Sequence, residues 1–182
     1  MCHKEALVDV NVSGDAPLSA RACPRGGEMK RTRIILATDF SAASEPAVRR
    51  ALEMAEAERA PLLITHVLEP PVSFSPDGYV LPRIYDEMAA AVRADAEKRM
   101  RLLLARARKS GVRARGVLLR GAPHEAILRA ARKHRADRLV VGTHGRRGFS
   151  RLFLGSVAAR VVASSPCPVL VVPAGRKGGR SS

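Results

Sequence analysis

Residues 142–156 read GTHGRRGFSRLFLGS. Gly142 and Gly145 stand two residues apart, and nine residues separate Gly145 from the pair Gly155-Ser156. Glycines without a Cβ let a backbone approach a ligand closely and offer its N–H groups. Gly155 and Ser156 open the next apolar, helix-like segment, and the free N–H groups and positive dipole of a helix start favour an anion. The Ser156 hydroxyl adds a further donor. The chemistry this spacing suits is the holding of phosphate at two points, with Arg146 to Leu154 arching between them. It is neither a P-loop, since GxxxxGK[ST] is absent, nor a Rossmann fingerprint, since no GxGxxG follows the first strand.

The elements that must position this stretch alternate along the chain. RTRIILATD, PLLITHVLE, VRARGVLLRG, DRLVVGTHG and PVLVVPA read as strands, and four helical segments separate them. SAASEPAVRRALEMAEAERA reads as a helix with N-cap choices at Ser41 and Ser44. EPPVSFSPDGYVLPR is a long Pro-rich loop. The helix after it runs from Ile84 to Lys109, with Ile84, Met88, Val92, Met100, Leu103 and Leu104 near one face and Gly111 placed to stop it. VRARGVLLRG alternates Arg with apolar residues, which predicts an edge strand with one wet face. APHEAILRAARKHRA and LGSVAARVVASSP supply the last two helices.

This alternation predicts one α/β domain: a doubly wound, five-stranded parallel sheet in the order 3-2-1-4-5, with helices on both faces. Ligands in such sheets bind beyond the carboxyl ends of the strands, where the strand order reverses. The first strand ends there at Ala37-Thr38-Asp39 and the fourth at Val141-Gly142-Thr143-His144-Gly145. The glycine stretch therefore falls where a ligand would sit. A generic Asp in the place of Asp39 caps a helix or ends a strand; its position across from the phosphate loop favours the ligand role. His66 and His144 have no second His or carboxylate at metal-ligand spacing, and read as structural rather than catalytic.

Composition narrows the function classes. The 182 residues suit one domain with a full core, and with only 3% aromatics that core is built from Ala, Val, Leu and Ile. No apolar run approaches the ~20 residues of a membrane helix. Cys2, Cys23 and Cys167 form no CxxC pair, so the reducing cytoplasm is the expected setting. The net charge of +15 is uneven: residues 98–160 carry 18 Lys and Arg against Glu125 and Asp137 alone. That surface is either solvated or attractive to polyanions. Few aromatics and no zinc-finger spacing argue against nucleic acid. Residues 1–28 lack a sustained apolar period or a signal-peptide core, and are expected to be a disordered arm that adds nothing to the fold, with Met29 as an alternative start. The domain is expected over residues 29–174, and residues 175–182 form a basic, Gly- and Ser-rich tail.

The spacing Gly142-xx-Gly145-x9-Gly155-Ser156 resembles the nucleotide-binding signature of the universal stress protein family, in its ATP-binding branch. ILATDFS, LLITHV, GAPHEAIL and SPCPVLVVP extend the resemblance across Met29 to Pro173 in the same order. It implies an adenine-nucleotide α-hydrolase-like fold and ATP, with Mg²⁺, as ligand. Asp39 would lie near the ribose and phosphates, Val67 would offer its backbone to the adenine edge, and Ala37 and Thr38 would line the base pocket. Gly142, Gly145, Gly155, Ser156 and Val157 would hold ribose and phosphates, with Val141 and His144 in the same strand-end crevice. The family often has Pro where this chain has Ala37. Dimers joined through Val169–Val172 are also implied. The resulting expectation is a stress-response module that binds ATP with little or no catalysis. The alternative is a slow ATPase or phosphotransferase in the same pocket, which would need a base and denser charge stabilisation than the motifs offer.

Overall fold

The computed structural model describes residues 8–10, 32–69, 82–143 and 154–174. The Pro-rich loop over 70–81, the tail from 175, and His144 and Gly145 with the arch that follows them lie outside the described residues, as does the arm apart from residues 8–10. In chain order the elements are β1 (Val8–Val10), β2 (Ile34–Ala37), α1 (Glu45–Ala57), β3 (Leu62–Leu68), α2 (Pro82–Lys109), β4 (Ala114–Arg120), α3 (Pro123–Lys133), β5 (Arg138–Gly142), α4 (Ser156–Ser164) and β6 (Val169–Val172).

The sheet order is β1-β4-β3-β2-β5-β6. Its five main strands, β4-β3-β2-β5-β6, are parallel throughout and stand in the order expected from the alternation of elements. β2 is central, pairing Ile34 with Leu62 on one side and with Arg138 on the other. All four of its residues are buried, because helices cover both faces. Side chains alternate across a strand: Ile34 and Leu36 join α1 and α2 in one core layer, while Ile35 and Ala37 join α3 and α4 in the other. α1 buries Ala47, Val48, Ala51, Leu52 and Ala55, one helical stripe.

The structure differs from the sequence reading in three places. Three residues of the N-terminal arm form β1, which adds antiparallel to β4 with Val8 opposite Leu118 and Val10 opposite Gly116. An open strand edge offers unpaired N–H and C=O groups, and a short β-branched segment can take them. β4 is accordingly not an edge strand with a wet face: Val117, Leu118 and Leu119 are all buried, with Leu118 packed in the α1–α2 layer and its two neighbours in the α3–α4 layer. The third difference is in α2, where Ala96, Met100, Leu103, Leu104 and Ala107 are buried but Ile84, Met88 and Val92 are exposed. At 1.5 Å per residue the 28-residue helix is about 42 Å long. A seven-residue strand spans only about 23 Å, so the first half of α2 outruns the sheet and has little to pack on.

Candidate functional site

The carboxyl ends of β2, β3 and β5 and the starts of α3 and α4 enclose one pocket of about 470 Å³. Nine of the eleven residues singled out from sequence line it: Ala37, Thr38, Asp39, Val67, Val141, Gly142, Gly155, Ser156 and Val157. The other two, His144 and Gly145, lie outside the described residues. Residues separated by more than a hundred positions meet because β5 pairs directly with β2, setting Val141 beside Ala37.

The wall at the end of β2 is cross-braced. Thr38 N–H donates to the Thr65 carbonyl at 3.0 Å, and the Thr65 hydroxyl donates to the Leu36 carbonyl at 3.0 Å. The Thr38 hydroxyl accepts from Phe40 N–H at 3.0 Å and shares a hydrogen bond with the Ser44 hydroxyl, also at 3.0 Å. His66, buried, sets Nδ1 2.9 Å from the Thr38 carbonyl. A carbonyl only accepts, so this nitrogen carries the proton. The His66 ring also packs on Phe40, with centroids 4.4 Å apart. Phe40 has φ of 58°, the left-handed region that a bulky residue rarely enters. Strain of this kind persists only where the surroundings over-determine it, and here they do. Between these braces the Asp39 carboxylate accepts from Ser41 N–H at 3.0 Å and from the Ser41 hydroxyl at 2.7 Å. Ser44 occupies the N-cap position of α1, yet its hydroxyl serves Thr38 and the Ser41 carbonyl rather than a helix N–H.

The opposite wall is plainer. Gly155 N–H donates to the Thr143 carbonyl at 2.8 Å, which closes the two ends of the glycine stretch on each other. The N–H that Gly155 was expected to offer a ligand is therefore taken. The first backbone bond of α4 runs from Ala159 N–H to the Gly155 carbonyl. Among the described residues, the N–H groups of Ser156, Val157 and Ala158 are left as the orphan donors of a helix start. α4 has no side-chain cap and no acid in its first turn.

Sequence reasoning missed several pocket residues. Glu69 lines the pocket along with Asp39, and so do His124 from α3 and Arg160 from α4. The lining thus combines carboxylates with the Arg160 guanidinium and two helix starts, which suits a ligand with both hydroxyls and negative charge. Thr65 and Ser44 also line the pocket. Arg160 had a signal in the sequence, since it stands four residues after Ser156 and shares its helix face. His124 had none, because α3 reaches the pocket only through the crossing of the chain.

Comparison with known proteins agrees with this geometry. The model of the universal stress protein family matches residues 30–173. A universal stress protein of Thermus aquaticus is 37% identical over 139 residues, which cover 76% of this chain and 96% of that protein. The structure of UspA from Lactobacillus plantarum superposes with a TM-score of 0.69 at 26% identity, covering 79% of this chain and 99% of that one. A universal stress protein solved in complex with cyclic AMP superposes with a TM-score of 0.55 at 29% identity, covering 80% and 98%. With its strand order, its strand-end pocket and a family match over most of its length, the chain belongs to the universal stress protein family.

Proposed function

We propose that this protein binds ATP in the strand-end pocket and works as a nucleotide-responsive module of the cytoplasm rather than as an enzyme. One observation carries the reading: the uncapped start of α4 opens on the same cavity as the braced Asp39 turn and Val67. A helix start of this kind suits phosphate, and a fixed carboxylate suits ribose hydroxyls. Further support comes from the relative solved with cyclic AMP, whose ligand has the same base, sugar and phosphate order.

In this reading adenine lies against Ala37, Thr38 and Val141, with the Val67 backbone at its edge. Asp39, held by Ser41, takes the ribose. Ser156 and Val157 hold phosphate through their N–H groups, and Gly142 and Gly155 keep side chains out of its way; His144 and Gly145, expected at the same site from the sequence, lie outside the described residues. Mg²⁺ keeps much of its shell as water and phosphate oxygen, and the Asp39 and Glu69 carboxylates are oxygen donors of the kind it takes. When bound, it would neutralise phosphate charge. β6 lies at the edge of the sheet with Val169–Val172 only half-buried, an apolar edge without charge to protect it. A second copy covers it antiparallel across a two-fold axis; a monomeric mass in light scattering at micromolar concentration contradicts this.

The test of nucleotide binding is a denatured extract of freshly purified protein, analysed by chromatography. Co-purifying adenine nucleotide is the expected result. Its absence, together with no binding of added ATP, overturns the reading.

A further inference from the structure

Three helices begin near the strand ends, and their electrostatics differ. α1 carries Glu45 in its first turn and α3 carries Glu125. Each acid complements the positive end of its helix. α4, nine residues long, carries none. Instead its first charged residue is Arg160, one turn beyond Ser156. Arg160 is the central residue of the nine, so its charge meets the positive end of the dipole only through the reach of its side chain.

Arg160 is also placed to act. It lies four residues after Ser156 and so on the same face, about 6 Å further along the axis. Helical side chains lean back toward the N-terminus, which carries the guanidinium toward the bare end of α4. Arg160 is exposed and lines the pocket. Three of the six arginines on α2 pair with an acid one turn away: Arg83 with Glu87, Arg93 with Glu97 and Arg99 with Asp95. α4 contains no acid at all, and no ion pair of Arg160 occurs among the described residues. An unpaired cation added to an uncompensated helix start is unfavourable when the pocket is empty. It becomes favourable when negative charge arrives in excess of what three N–H groups can hold.

We infer that Arg160 makes the pocket selective for nucleoside polyphosphates over monophosphates. The inference rests on the nucleotide-binding reading above. The N–H groups of Ser156 to Ala158 take one phosphate group, and the planar guanidinium fork takes oxygens of the next in line. A monophosphate or a cyclic monophosphate satisfies the helix start and leaves Arg160 without a partner.

The experiment is calorimetric titration of the full chain, stripped of bound nucleotide, with ATP, ADP and AMP. Wild type, Arg160→Ala and Arg160→Lys are compared. The wild type is expected to favour ATP over AMP, and Arg160→Ala to reduce that ratio about tenfold or more, the loss of one charge-assisted contact. Arg160→Lys, which keeps charge but not the fork, falls between them. A second readout separates selectivity from structure. Without nucleotide, Arg160→Ala melts no lower than wild type, because a cation has left a positive helix end; with saturating ATP, the wild type melts higher. An unchanged ATP-to-AMP ratio in Arg160→Ala overturns the inference while nucleotide binding stands. A wild type that binds none of the three overturns both.

Discussion

The two walls of the pocket are built on opposite plans. At the end of β2, the turn from Thr38 to Ser44 is settled without a ligand: the Thr38 hydroxyl, the Asp39 carboxylate and the His66 ring all have protein partners, tight enough to hold Phe40 at a positive φ. At the start of α4, the N–H groups of Ser156 to Ala158 have no side-chain cap among the described residues, no acid stands in the first turn and the Arg160 side chain adds positive charge. One wall is organised in advance, so little ordering cost falls on binding there. The N–H groups of the other have no protein partner among the described residues and are open to solvent or to a negative group. In the proposed reading the difference divides the labour: the β2 wall would fix where a ligand sits, and the α4 wall would decide its charge.

The comparison is broken most completely at α4. Gly155 has φ of −58° and ψ of 149°, values open to any residue, so Gly155→Val is expected to fold. Its branched side chain stands where phosphate approaches, and ATP affinity is expected to fall at least about 100-fold, or roughly 2.7 kcal/mol. Isothermal calorimetry with a parallel melting curve measures both. A variant that binds ATP like the wild type would place the phosphates elsewhere.

The braced wall predicts the converse, a smaller effect seen first in stability. Thr38→Val preserves shape but removes the hydroxyl that accepts from Phe40 N–H and pairs with Ser44. With the Phe40 N–H left without its partner in a half-buried turn and the Ser44 hydroxyl keeping only its bond to the Ser41 carbonyl, the ligand-free protein is expected to lose about 1–3 kcal/mol in denaturant unfolding. An unchanged midpoint would mean that the turn is not held by this network.

How much of this was legible in the sequence depends on the range of the cause. The five parallel strands were legible because IILA, LLITHVL and RLVVG are short, continuous apolar runs, the mark of strands covered on both faces. β4 misled because Arg113 and Arg115 at its start mimic an alternating pattern, whereas its second half, VLL, is buried on both sides. β1 was hidden because a three-residue VDV has no period to detect; only the open edge of β4 makes it a strand. The stripe on α2 was read correctly as apolar, but where the sheet beneath it ends is a tertiary fact. The pocket lining was legible at Asp39, from where the first strand ends, and at Gly142, Gly155 and Ser156, from their local spacing. The contribution of His124 arises from chain crossing, and that of Glu69 from the register of β3 against β2.

If the bare helix start and the braced carboxylate form one nucleotide site, both must be engaged by a single ligand. The most direct test is a calorimetric titration of stripped wild-type protein with ATP in the presence of Mg²⁺. Saturable binding at one site per chain is expected, at a Kd that rises with salt as charge recognition requires. The absence of binding heat across a range of temperatures, with no shift in melting temperature on adding ATP, would contradict it.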